Sequence, residues 1–164
     1  LAQGLARGEK MDLVLQKATE LGAAAFAPVV TERTEVKLDA ERAGKRMAHW
    51  QGVVAAACEQ CGRAVLPALA EPVPLATYAA SAPAGLKLAL DPGGELDLRA
   101  LPLAPGAQVA LVVGPEGGLS ERDLATLRAA GFLGLRLGPR ILRTETAGLA
   151  AVAALQALYG DLAG

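Results

Sequence analysis

The 164-residue chain reads as one α/β domain with a parallel sheet flanked by helices. Two observations predict this class. Apolar, strand-like runs alternate with segments of helical periodicity, and the runs end in Gly- or Pro-bearing loops that lead into the next helix. The single domain is taken to span residues 1–164. At 52% hydrophobic and 3% aromatic residues, its core has to be built mainly from Ala, Leu and Val.

Residues 10–21 place Met11, Leu13, Val14, Ala18 and Leu21 near the i, i+3, i+4, i+7 spacing, and Gly22 follows as a stop. That predicts a helix. Residues 23–30 form a short apolar run, predicted as a strand, leading into Thr31-Glu32-Arg33-Thr34. A long helix follows over 39–60, with Asp39 as N-cap and Gly62 as terminator. Pro67, Pro72, Pro74 and Pro83 then leave room only for a short strand and a short helix. Residues 86–90 and 108–113 are the clearest strands. Ser120-Glu121-Arg122-Asp123 is a capping sequence that opens a helix to about residue 130, where Gly131 ends it. Residues 132–137 read as a further strand, and Thr144 or Glu145 opens a last helix to Tyr159. That helix is apolar almost all round, which predicts burial: one face on the sheet, the other on a second subunit.

Net charge is −1, so whole-chain attraction cannot supply nucleic-acid binding and any such contact falls to a local patch. The longest strongly apolar stretch, 147–159, is interrupted by Gln156 and falls short of the roughly 20 residues a membrane span needs. A cytoplasmic protein without a membrane segment is expected. The chain starts at Leu1 and carries no signal-peptide pattern, which suggests part of a longer polypeptide. Cys58 and Cys61 form a lone C-x-x-C without a second ligand pair, so no metal site is expected and both read as small helix residues. The only histidine, His49, sits beside Trp50 on the long helix and reads as structural.

Two loops carry the chemistry. The first is Gly114-Pro115-Glu116-Gly117-Gly118, directly after the strand ending at Val113. It is no phosphate cradle: a P-loop needs G-K-[ST], whereas here a carboxylate stands where phosphate would sit. Glu116 suits a positively charged ligand, or else is the solvated tip of a tight turn. The second loop runs from Leu137 to Ala147 and gathers Arg140, Arg143, Thr144, Glu145 and Thr146. An Arg–Glu pair beside a pocket can orient a substrate. In open α/β sheets, ligands bind where such loops leave the carboxyl ends of strands.

Five ordered segments, QKATELG at 16–22, TERT at 31–34, EQCGR at 59–63, GPEGG at 114–118 and LGPRILRTETA at 137–147, resemble the RsmE family of the SPOUT superfamily. The resemblance extends over residues 8–160. It implies small-subunit ribosomal RNA methylation at uracil N3, acting on ribosomal RNA or on the assembled small subunit. It also implies a C-terminal trefoil knot, a homodimer through the last helix, and S-adenosylmethionine as cofactor. Carried onto this chain, the cofactor residues are Leu90, Asp91, Val113, Gly114, Glu116, Gly117, Gly118, Leu137, Gly138, Ile141, Leu142, Arg143, Thr146 and Ala147. Arg33, Gln60, Arg63 and Arg140 are the implied substrate contacts. Family members also carry an N-terminal PUA-like barrel that grips RNA, and this chain is expected to lack it.

Transfer to N3 requires the nitrogen to be held in line with the methyl carbon and its proton to leave. Arg143 is the expected donor to a uracil carbonyl, and Glu145 is expected to take the proton or orient Arg143. Valine at Gly114 or Gly138 is expected to fill the cofactor pocket. The same fold could instead serve another RNA, such as tRNA ribose, or a non-catalytic dimerising RNA-binding module.

Overall fold

In the computed structural model, which describes residues 1–36, 40–104 and 106–163, seven short strands form one parallel sheet. They are β1 (Ala2–Gly4), β2 (Ala25–Val30), β3 (Ala68–Leu69), β4 (Val73–Pro74), β5 (Leu86–Leu90), β6 (Val109–Val113) and β7 (Leu133–Leu135). The helices are α1 (Lys10–Glu20), α2 (Ala40–Cys61), α3 (Leu75–Ser81), α4 (Glu121–Ala129) and α5 (Thr144–Tyr159). Sheet order is β3-β2-β1-β6-β5-β7, with β4 pairing the far end of β2. The expected N-cap, Asp39, lies outside the described residues.

Side chains on the central strands alternate between two buried layers, as a pleat with period two requires. Ala2, Ala89, Ala110 and Val112 point to one face and pack with Leu75 and Ala79 of α3, Leu127 of α4 and Phe132. Leu88, Leu111 and Val113 point to the other and pack with Ala151 of α5. A third cluster joins α1 and α2 through Met11, Leu15, Ala18, Met47, Trp50 and Val54. Within α1, Leu15 takes the core position, and Leu13, assigned to the apolar face from spacing, is 41% exposed. His49 Nε2 meets Asp12 Oδ2 at 2.6 Å and ties α2 to α1, a structural role. Cys58 is buried and Cys61 exposed at the end of α2, both unbridged.

Two expectations need correction. The sheet contains β1, which sequence patterning left unassigned: Ala-Gln-Gly has no strand signature, and its extended state is imposed by pairing with β2 on one side and β6 on the other. The strand expected over 132–137 is confined to Leu133–Leu135, because Phe132 turns under α4 and the chain beyond Leu135 pairs with Leu96 instead, Arg136 N donating to Leu96 O at 3.0 Å. The last helix packs one face on the sheet, as expected, and leaves its other side open within the chain. Only Thr144, Gly148 and Ala151 are buried, and Leu158 is 47% exposed.

The start of α4 follows the sequence closely. Asp123 N donates to Ser120 Oγ at 3.0 Å and Ser120 N donates to Asp123 Oδ2 at 3.0 Å, a complete capping box. Ser120→Ala should therefore cost about 1 kcal/mol of stability. Denaturant unfolding of the two proteins checks this, with an unchanged midpoint counting against the cap.

Candidate functional site

Strands β6, β5 and β7 are adjacent and parallel, so their carboxyl ends lie side by side and the loops that leave them converge. Together these loops, 90–92, 113–119 and 135–143, enclose a cavity of about 590 Å³, within the size range of small-molecule sites. Arg33, from the loop after β2, closes one side.

The loop after β6 is held in shape from several directions. Gly118 N donates to Pro115 O at 2.8 Å, closing the turn. Arg33 Nη1 donates to Gly117 O at 2.9 Å. At Gly114 a Cβ would come within 2.7 Å of the backbone at Gly118 and Leu119, and at Gly4 within 2.5 Å of Pro115 N. Both positions exclude any side chain because backbone approaches backbone. The reason expected for Gly114→Val thus changes: valine would break the loop before it could fill the pocket. At Gly138 a Cβ would meet nothing within 4 Å, and the constraint is its φ of +70°.

Glu116 does not offer a free carboxylate to a ligand. Its Oε1 accepts from Arg7 N at 2.9 Å and from Lys10 Nζ at 3.1 Å, which fastens the loop to the start of α1. Partial burial pushes this carboxyl up. The hydrogen bonds from the Arg7 amide and from its own backbone N–H, with the Lys10 ammonium, outweigh that effect, so its pKa lies below the ordinary 4.5.

Every cofactor residue expected from the sequence lines this cavity except Thr146, which is exposed on the first turn of α5. Glu145 does not line it either, and its Oε2 is buried without a partner. Among the expected substrate contacts, Arg33 and Arg140 line the cavity and Gln60 and Arg63 do not. Arg63 Nη1 donates to Thr19 O and Ala23 O, both at 2.8 Å, capping the carboxyl end of α1. Ala23 precedes β2, so Arg63 sits at the amino end of the sheet, opposite the cavity. Patterning cannot separate a helix-capping arginine from a ligand-facing one, because the two differ only in which end of a strand lies nearby.

Residues that sequence reasoning missed include Arg136, Pro139, Leu119 and Leu124 in the cavity wall. Arg136, Arg140 and Arg143 are exposed, and among the described residues their guanidinium groups have no hydrogen-bond or ion-pair partner. The acids in the wall are engaged elsewhere: besides Glu116, Asp91 Oδ1 accepts from Gly93 N at 2.9 Å and its Oδ2 lies 4.0 Å from Arg128 Nη2. No histidine lines the cavity. The mouth is therefore cationic and rich in donors, in a chain whose net charge is −1.

Loss of the Glu116 charge should lower stability at pH 7 by about 1 kcal/mol in Glu116→Gln. A carboxyl with a depressed folded-state pKa stabilises above its unfolded value and loses that contribution as pH falls through the folded one. The difference between the proteins should accordingly fade below pH 4.5. Denaturant unfolding across pH 3–7 checks this; a difference independent of pH would count against the assignment.

Comparison with known proteins agrees with this geometry. Residues 1–156 match the RNA methyltransferase domain family. The chain is 34% identical over 179 residues to ribosomal RNA small subunit methyltransferase E of Bacillus subtilis, covering 98% of this chain and 68% of that protein. A Legionella pneumophila protein solved with the cofactor SAM bound superposes with a TM-score of 0.92 at 45% identity, covering 96% of this chain and 64% of that one. Ribosomal RNA small subunit methyltransferase E of Neisseria gonorrhoeae, bound to S-adenosyl methionine, gives a TM-score of 0.90 at 40% identity, covering 98% and 65%. This chain thus spans about two thirds of the length of these relatives. On the family match and the near full-length similarity, the chain belongs to the RNA methyltransferase domain family, in its RsmE branch.

Proposed function

We propose that this chain is the catalytic domain of an S-adenosylmethionine-dependent methyltransferase acting on N3 of a uridine in small-subunit ribosomal RNA. The observation that carries the proposal is the composite cavity: three strand-end loops supply apolar walls and backbone donors, and three unpaired arginines stand at its mouth. Relatives solved with the cofactor bound share this fold at 40–45% identity.

The donor set fits such a cofactor. Leu90, Val113, Leu135, Leu137 and Leu142 give apolar surface, and Gly114, Gly117 and Gly118 bring backbone to the wall without a side chain. The bound cofactor would supply an electrophilic methyl group. Arg143, which precedes α5 and lines the cavity, donates to a uracil carbonyl and stabilises the imide anion that forms as the N3 proton leaves. Arg140 and Arg136 hold phosphate or base alongside it, where paired phosphate contacts would position the RNA. Glu145, which stands outside the cavity wall, has no role in this scheme, and the proton passes to solvent at the open mouth.

The side of α5 left open by the sheet, with Ala157 and Leu158 exposed, supports a homodimer through this helix. No helix of the described residues is long and apolar enough to cross a membrane.

Arg143→Ala in the full-length protein should reduce transfer of labelled methyl to assembled small subunits by about 100-fold or more, with cofactor affinity nearly unchanged. Equal rates would remove Arg143 from the mechanism. Labelling of tRNA in place of small subunits would move the activity to another RNA, and a chain that binds no cofactor would be a non-catalytic module. Equilibrium sedimentation at micromolar concentration should show a dimer, and monomer alone would remove the α5 interface.

A further inference from the structure

Gln3 stands in the middle strand of the sheet, 2% exposed, on the face that Leu88, Leu111 and Val113 otherwise fill with apolar surface. Its Nε2 lies 3.0 Å from Gly4 O, 2.8 Å from Thr144 Oγ1 and 3.3 Å from Gly114 O. Thr144 Oγ1 lies 2.6 Å from Gly114 O. These distances fix the direction of every bond. The Thr144 hydroxyl has one hydrogen, and the Gly114 carbonyl beside it can only accept, so Thr144 donates to Gly114 O. Thr144 Oγ1 then accepts from Gln3, and the second Nε2 hydrogen goes to Gly4 O. With the amide reversed, an oxygen would face two carbonyl oxygens with no hydrogen between them.

The other end of the amide is not satisfied. Gln3 Oε1 is buried without a partner, 3.4 Å from where a Cβ on Gly148 would stand. A buried acceptor left unpaired is unfavourable, and an apolar residue here would pack against Val113 and α5 without that cost. Core stability alone therefore does not account for Gln3. What the amide does is tie the first residue of α5, where the second loop ends, to β1 and to the loop after β6 at Gly114.

We infer that Gln3 is a positioning residue for the cofactor cavity, acting through Thr144 to hold the two loops at the spacing the bound cofactor requires. This rests on the cavity being the S-adenosylmethionine site. The chain Gln3 to Thr144 to Gly114 sets how far the start of α5, and with it Arg143, stands from the loop after β6.

The test compares wild type with Gln3→Met, Thr144→Val and Thr144→Ser in the full chain, reading S-adenosylmethionine affinity by calorimetry and amide hydrogen exchange without cofactor. Gln3→Met and Thr144→Val should weaken binding by at least about tenfold, the equivalent of one buried hydrogen bond. Exchange should speed up at 114–118 and 144–147 while β2 and α2 stay as protected as before. Thr144→Ser keeps the hydroxyl and should bind within about threefold of wild type. Affinity within about twofold in both Gln3→Met and Thr144→Val, with unaltered exchange at 114–118, overturns the inference. So does exchange accelerated evenly across the sheet, which would make Gln3 an ordinary core contact. If Gln3→Met does not fold, the valine and serine variants decide alone. A wild-type chain that fails to bind the cofactor overturns the proposed function instead, and the exchange comparison still decides whether Gln3 couples the loops.

Discussion

Ala2–Gly4 is hydrogen-bonded on both sides, to β2 through Ala2↔Ala27 and to β6 through Ala2↔Val112, and among the described residues no other strand spans that gap. Ala27 N to Leu1 O and Leu5 N to Val29 O, both at 2.9 Å, extend the ladder by a residue at each end. On one side lie β2, β3 and β4 under α1 and α2. On the other lie β6, β5 and β7, which carry the cavity. Gly4 meets Pro115 backbone to backbone, so the strand that joins the halves also sets the height of the loop after β6.

Periodicity located the elements that bury a face by themselves. The α1 and α2 spacing, the strands over 86–90 and 109–113, and the Ser120 to Asp123 cap are local signals, and the structure follows them. It could not locate β1 or the end of β7, because Ala-Gln-Gly and Leu-Gly-Leu become strands only when neighbours arrive from more than twenty residues away. The cavity was legible for a different reason. Strand-end loops in a parallel sheet meet at one edge whatever their composition, so the strands marked the loops at 114–118 and 137–147, and the family resemblance supplied Leu90, Asp91 and the individual cofactor residues. Long polar side chains were read least well. Arg63 and Glu145 are charged residues in conspicuous motifs that face away from the cavity, and Glu116 lines it with its Oε1 already engaged by Arg7 and Lys10.

Charge is distributed by engagement more than by count. Acids that lie in the wall already have partners in Arg7, Lys10, a turn amide and Arg128, while Arg136, Arg140 and Arg143 at the mouth have none among the described residues. A nearly neutral chain can in this way present a locally positive surface without the solubility and stability costs of high net charge. Such a surface binds polyanions through counterion release, so its contribution would fall steeply with salt.

Asp123 has a second task besides closing the α4 cap. Its Oδ2 accepts from Ser120 N at 3.0 Å, and its Oδ1 lies 3.3 Å from Glu32 N, in the loop whose Arg33 reaches Gly117 O. One carboxylate thus sets both where a helix begins and where a distant loop rests. The two cannot drift independently: a change that rotates the first turn of α4 displaces Arg33 from the cavity edge, and one that pulls the loop away frays the helix. Substitutions at Ser120 and Arg33 should therefore fail to add in a double-mutant cycle, although the two side chains bond to different partners.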